Sequence, residues 1–249
     1  MTDTAADTVR GGGLELRLRP AAASVPLDRV VFADVELVAT GGPATVSARL
    51  NLVEGDLEIE VAGAGRTPVR ATWPWPVDSA PRSVDLPAGG RLVAAVPLIS
   101  SGSVPLFAAP GRYELTARFA ARRGESVAAR PVALVRTAPD DAALAARLGD
   151  RDVLQSLLGA GVIGAAAPSL ELLAASADAG TAAAANLALG RTGVLADAAA
   201  DPAVVRAVAA LLPPGATGQD DRRDAVASRV TAQAAARDAA ALTGRPLAE

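Results

Sequence analysis

The sequence predicts an α+β chain with its two kinds of structure segregated: an antiparallel β-sandwich of about seven strands over residues 12–137, then an all-α segment over residues 138–249. Three observations predict this. Apolar residues recur at every second position in a series of short runs between Leu14 and Val135. Turn residues separate those runs at roughly ten-residue spacing. From Ala138-Pro139-Asp140-Asp141 onward the apolar spacing becomes three and four, the spacing of a helix face.

Residues 1–11 are small and polar and read as a disordered tail. Leucines alternate with charges from Leu14 to Arg19, a half-buried strand that stops at Pro20. From Val30 to Ala39, Val31, Ala33, Val35, Leu37 and Ala39 share one face, and Gly41-Gly42-Pro43 turns the chain. Strands follow at Val46–Val53 and Asp56–Val61, the second with Leu57, Ile59 and Val61 opposite a row of carboxylates. A short strand is predicted from Val69 to Trp75, and another from Leu92 to Ile99, broken by Pro97. Tyr113, Leu115, Ala117 and Phe119 share a face, Arg122-Arg123-Gly124-Glu125 forms a hairpin tip, and Val127–Val135 is the last strand.

In the second half, Pro139 followed by acidic residues starts a helix carrying Leu144 and Leu148. Asp150 caps a second, with Val153, Leu154, Leu157 and Leu158. A third is predicted from Ser169 to about Ala177, and a fourth, capped by Thr181, from Ala182 to Leu189. Asp201-Pro202 opens a fifth that Pro213-Pro214-Gly215 stops, and a sixth runs from Asp220 to Leu242. Short helices with short connections predict a bundle or a short solenoid.

The stretch Pro110-Gly111-Arg112-Tyr113-Glu114-Leu115-Thr116-Ala117 resembles the penultimate strand of immunoglobulin-like and fibronectin type III domains. The resemblance implies an immunoglobulin-like sandwich in which Tyr113 pins the preceding corner. The cysteines and central tryptophan of antibody domains have no counterpart here.

Composition excludes more than it suggests. The chain has no cysteine and no histidine, and all 24 of its basic residues are arginine. Disulfides, thiolate or histidine catalysis and the usual zinc sites are therefore impossible, as are Schiff-base chemistry and a lysine-bearing phosphate loop. A net charge of −3 argues against nucleic acid, which demands a basic face. Arginine without lysine, among abundant Ala, Gly and Pro, fits a GC-rich bacterial genome. The first residues lack the features of a signal peptide, and no apolar run is long enough to span a bilayer, so the expected location is the cytoplasm without membrane insertion.

Candidate sites are few. Gly159-Ala160-Gly161-Val162-Ile163-Gly164 has the G-x-G-x-x-G spacing, but the segment before it is helical in spacing and Pro168 interrupts the segment after it, so no cofactor is expected. Glu54, Asp56, Glu58 and Glu60 lack the turn geometry of a calcium loop and read as a solvated strand face with Arg17, Arg19 and Arg49 as cross-strand partners. Trp73 and Trp75 fall on one side of an extended segment, where the pair suits either the core or a docking surface. The loop from Ser100 to Pro110 carries Val104, Leu106 and Phe107, and Arg122 and Arg123 crown the last hairpin. These seven residues are the expected partner surface. With no catalytic, cofactor or metal residues expected, the reading is a non-enzymatic interaction or scaffold component of a cytoplasmic complex, either a homo-oligomer or a larger assembly. A proteinase-inhibitor-like domain presenting the Ser100–Pro110 loop is the first alternative. A carboxylate-based enzyme or carbohydrate-binding module is the second.

Overall fold

A computed structural model describes residues 12–63, 66–74, 80–159 and 163–212. Sheets occupy the N-terminal part and helices the C-terminal part, so the chain is α+β with the elements segregated. The strands are β1 (Leu14–Pro20), β2 (Ser24–Pro26), β3 (Val31–Ala39), β4 (Ala44–Ser47), β5 (Leu57–Gly63), β6 (Val69–Arg70), β7 (Ser83–Leu86), β8 (Arg91–Leu98), β9 (Ser100–Ser101), β10 (Val104–Pro105), β11 (Gly111–Arg122), β12 (Glu125–Ala128) and β13 (Val132–Thr137). The helices are α1 (Ala142–Leu148), α2 (Arg151–Leu157), α3 (Ile163–Ala174), α4 (Ala179–Ala188), α5 (Thr192–Asp197) and α6 (Pro202–Leu211).

Two sheets face each other. One has the order β1-β3-β8, the other β2-β13-β11-β5-β6, with β12 continuing the β13 edge of β11. Pairing is antiparallel apart from β2 against β13. The alternation seen in the sequence points inward as the pleat requires: Leu14, Leu16 and Leu18 from one sheet meet Ile59, Leu115 and Phe119 from the other in a single apolar core.

The helices form a further layer on the outer face of the β1-β3-β8 sheet. Their apolar core includes Val30, Phe32 and Ile99, contributed by the β segment. Residues on β3 therefore divide by parity: Val31, Ala33 and Val35 face the sandwich, while Phe32 and Asp34 face the helices. Polar contacts help fix the docking. Val30 donates its backbone N–H to Thr181 Oγ1 at 3.0 Å, and Arg206 Nε on α6 reaches Asp34 Oδ1 at 2.9 Å.

Several expected elements differ in extent. The strand predicted over Val46–Val53 ends at Ser47, because Asn51 Oδ1 accepts from the backbone N–H groups of Val53 and Glu54 and bends the chain. Among the described residues of the strand predicted over Val69–Trp75, only Val69–Arg70 is strand. The last predicted strand splits into β12 and β13 around Arg130-Pro131, where proline has no N–H to give a ladder. Pro97 does not break β8, which is an edge strand and can spare that donor. Strands β2, β7, β9 and β10 are too short to register as periodic runs.

Among the helices, Asp150 and Asp201 cap α2 and α6 as their positions suggest, whereas α1 starts at Ala142 with Asp141 as its cap rather than at Pro139. The cap of α4 is Asp178, not Thr181, whose N–H donates to the Asp178 carboxylate at 2.8 Å. Helix α3 begins at Ile163 rather than Ser169 and carries Pro168 inside it. Helix α5 has no counterpart among the predicted elements. The predicted helix over Asp220–Leu242 and the N-terminal tail lie outside the described residues.

Candidate functional site

An apolar concavity opens where β5 and β6 meet the β9–β10 hairpin. It encloses about 400 Å³ and is walled by Val61 and Val69 on one side and by Val104, Pro105 and Leu106 on the other, with Tyr113 also lining it. Val69 and Val104 are exposed at its rim, at 41% and 59%. Arg66 and Thr67, both exposed, add polar atoms there. A pocket with this lining can accept an apolar side chain and offers almost nothing for acid–base chemistry.

Tyr113 holds the pocket's inner side in place. Its hydroxyl donates to the Ala109 carbonyl at 2.8 Å, four residues back across the Pro110-Gly111 corner. Its ring meets Phe107 edge-on, with centroids 5.1 Å apart. Gly63 makes room for that ring: a Cβ there would lie 3.0 Å from Tyr113 Cε1.

The seven expected surface residues do not gather into one face. Val104 is exposed as expected. Leu106 and Phe107 are not exposed, although Leu106 lines the pocket wall. They are buried, at 4% and 8%, because the Ser100–Pro110 segment folds back as a hairpin and turns both side chains into the sandwich. Trp73 is half-buried against the helical core, and Trp75 lies outside the described residues. Arg122 and Arg123 are exposed at the β11–β12 turn, where Arg122 donates to the Thr45 carbonyl and pairs with Glu125. Arg122 lies about 30 Å beyond Tyr113 along β11, so the arginine tip and the pocket occupy opposite ends of the sheet.

The carboxylate row on and before β5 is matched by arginines. Arg49 pairs with Asp56, Arg70 with Glu58 and Arg82 with Glu54. Of these, Arg49 is the partner expected from the sequence. Arg17 and Arg19 instead meet Glu36 on the other sheet. Among the described residues no group of three or more acidic side chains is arranged to hold a metal ion. No described helix is long and apolar enough to cross a membrane.

Sequence reasoning misses one buried cation. Arg136 is 4% exposed, and burial pushes its guanidinium down to about 10. The signal is present in the chain: Arg136 lies in phase with Val132 and Leu134, on the inward side of its strand.

No family model matches the chain, and no curated protein matches it. Among solved structures, the chain is similar over 51% of its length to an alkylpurine DNA glycosylase of Pseudomonas fluorescens bound to DNA containing an abasic-site analogue, with 12% identity, a TM-score of 0.31 and 31% of that chain covered. It is similar over 51% of its length to the sporulation control protein Spo0M of Bacillus subtilis, with 10% identity, a TM-score of 0.33 and 50% of that chain covered. A β-glucosidase of Listeria innocua in complex with glucose gives 11% identity and a TM-score of 0.31 over 51% of this chain and 16% of that one. The chain thus spans half or less of each of these proteins, and likenesses this slight assign it no activity.

Proposed function

We propose that this chain is a non-enzymatic binding module of a protein assembly, built on an immunoglobulin-like sandwich whose end pocket takes an apolar side chain from a protein partner. One observation carries the reading: an apolar pocket of about 400 Å³ with Val69 and Val104 left exposed at its mouth. Exposed aliphatic groups around a concave apolar site are what a partner's anchor residue would cover. Arg66 at the rim favours a carboxylate beside that anchor. The immunoglobulin-like assignment draws on the Tyr113 hydroxyl bond across the corner at Ala109. The inhibitor alternative loses support because two of its three apolar loop residues are buried.

Selection from a random peptide display library against the immobilised full chain tests the proposal. The expected result is a set of peptides sharing one large apolar residue, which compete with one another and bind Val104→Asp and Val69→Asp at least about tenfold more weakly. Both positions are exposed, so the variants should keep the wild-type circular dichroism spectrum. Peptides that bind both variants as well as wild type, or no enrichment at all, would overturn it.

A further inference from the structure

Strand β8 ends the β1-β3-β8 sheet on one side. At the head of its ladder with β3, the Ala39 N–H donates at 2.9 Å to the carbonyl of Gly90, the residue directly across from it. In an antiparallel pair the peptide groups then point toward the partner and away from it by turns. Leu92, Ala94, Val96 and Leu98 therefore bond to β3, while the N–H and C=O groups of Arg91, Val93 and Ala95 point outward. Pro97, which has no N–H to give, falls on the outward phase as well. Among the described residues no strand or loop takes up these outward groups.

The side chains along this edge do little to keep another strand away. At the other edge of the same sheet, β1 carries Glu15, Arg17 and Arg19. Strand β8 carries one charge, Arg91 at its first position, and that guanidinium is drawn back to Glu36 on β3 at 3.3 Å. From Leu92 to Val96 the strand is wholly apolar. Val93 is 57% exposed, and Leu92 and Ala94 are only partly buried although they pack against the sandwich core. Helix α6 packs over β8 near Ala95, where Arg206 reaches Asp34 across the ladder, and leaves Val93 uncovered. An exposed apolar edge is a template for strand pairing, which sequences usually blunt with charge.

We propose that β8 is a homodimer interface, in which two copies of this chain pair their β8 edges antiparallel about a two-fold axis at Val93. The register follows from the residues. With Val93 opposite the second copy's Val93, Arg91 falls opposite Ala95 on both sides of the axis. All three outward residues then sit in hydrogen-bonded pairs, which makes about six N–H···O bonds. Shifted toward Pro97, the pairing calls on a residue without an N–H; shifted toward Arg91, it brings two like charges together. The register at Val93 covers the most exposed apolar side chain of the edge with its own copy and joins the two sheets into one. Both α6 helices lie on the same face of the joined sheet, displaced along it because each packs near Ala95 of its own β8. No residue of β8 lines the pocket proposed for a protein partner, so either assignment can fail alone.

The test is sedimentation velocity of the full chain from about 1 to 300 µM. A paired edge this short buries less than the roughly 1,200 Å² of a standard interface, so a Kd of about 10–100 µM is expected. The expected result is a reversible shift from monomer to dimer across that range. Val93→Lys opposes two charges at the centre of the pairing and should weaken dimerisation at least about tenfold. The position is exposed, so the circular dichroism spectrum should not change. The register has its own readout, because the chain has no cysteine. Hydrogen-bonded cross-strand partners have Cα atoms about 5.5 Å apart, a separation that a disulfide spans without strain. Under mild oxidation Val93→Cys should therefore form a disulfide-linked dimer at least about tenfold faster than Val104→Cys, which is as exposed but lies at the pocket. A wild type that stays monomeric at every concentration would overturn the proposal and leave the edge to a strand of another protein. So would a dimer that Val93→Lys leaves intact, or cross-linking of Val93→Cys no faster than that of Val104→Cys.

Discussion

Replacing Phe32 with alanine would remove the main apolar contact that the sandwich gives to the helices. Phe32 is 5% exposed, on the β3 face turned away from the sandwich core. Helix α4 starts directly over it: a Cβ at Gly180 would lie 3.4 Å from Phe32 Cε2. Truncation to alanine withdraws roughly 130 Å² of buried ring surface, worth about 3 kcal/mol at about 25 cal/mol per Å². The hole cannot close easily, because β3 is held by seven pairs to β1 and eight to β8. A cavity term therefore adds to the transfer term, for a total of about 3–5 kcal/mol. That is a large part of the roughly 5–15 kcal/mol typical of whole domains. The assay is urea unfolding read at 222 nm for the helices and by amide hydrogen exchange on β11 for the sandwich. Wild type should unfold in one transition on both probes. In Phe32→Ala the helical signal should move to lower urea ahead of the β11 amides, while Phe32→Leu should cost under about 1.5 kcal/mol. A loss below about 1 kcal/mol with coincident transitions would refute the claim that this ring ties the two layers together.

Three further outcomes rest on the same geometry. Gly41→Ala should lower stability by about 1–3 kcal/mol in a thermal melt, because its Cβ would come within 2.6 Å of the Gly13 Cα at a turn where Gly13 accepts from both Thr40 and Gly41. Thr181→Val, which keeps the shape but leaves the buried Val30 N–H without its acceptor, should cost about 1–3 kcal/mol, and Thr181→Ser should recover most of it. Because burial lowers the pKa of Arg136 in the folded chain from its ordinary value to about 10, its charged form opposes folding at every pH below about 10, and the opposition fades as pH rises above that. Across one buffer series the stability of wild type relative to Arg136→Met should be flat from about pH 6 to 9, then turn in favour of wild type by up to roughly 3 kcal/mol; a slope already present below pH 9 would contradict this.

Much of the fold is legible in the residues because its causes are local. Two-residue alternation places β1, β3, β5 and β11, since the pleat sends successive side chains to opposite faces of a sheet. Asp150 and Asp201-Pro202 mark helix starts because a side-chain carboxylate and a proline satisfy or dispense with N–H groups that the first turn cannot. The absence of cysteine, histidine and lysine removes whole classes of chemistry by composition alone. Less of the candidate site is legible. Val104 stands out in its loop, but the opposite wall, Val61 and Val69, comes from strands more than thirty residues earlier, and no spacing rule joins them.

Tertiary structure alone decided which face is covered and which group is buried. Leu106 and Phe107 sit in a Ser/Gly/Pro-rich loop that reads as exposed, yet the β9–β10 pairing turns them inward. Phe32 and Ile99 fall on the phase that a one-sided sandwich would leave to solvent, and are buried because the helices return onto that face. The doubly apolar run Val30-Val31-Phe32-Ala33 records that a strand is covered on both sides, but not what covers it. Arg136 has the inward phase of its strand, while its burial comes from Arg29, Phe107 and helices α1 and α2, residues distant in sequence. Periodicity reports the solvent's side of each element; the partner on the dry side is selected by long-range packing, which leaves no period in the chain.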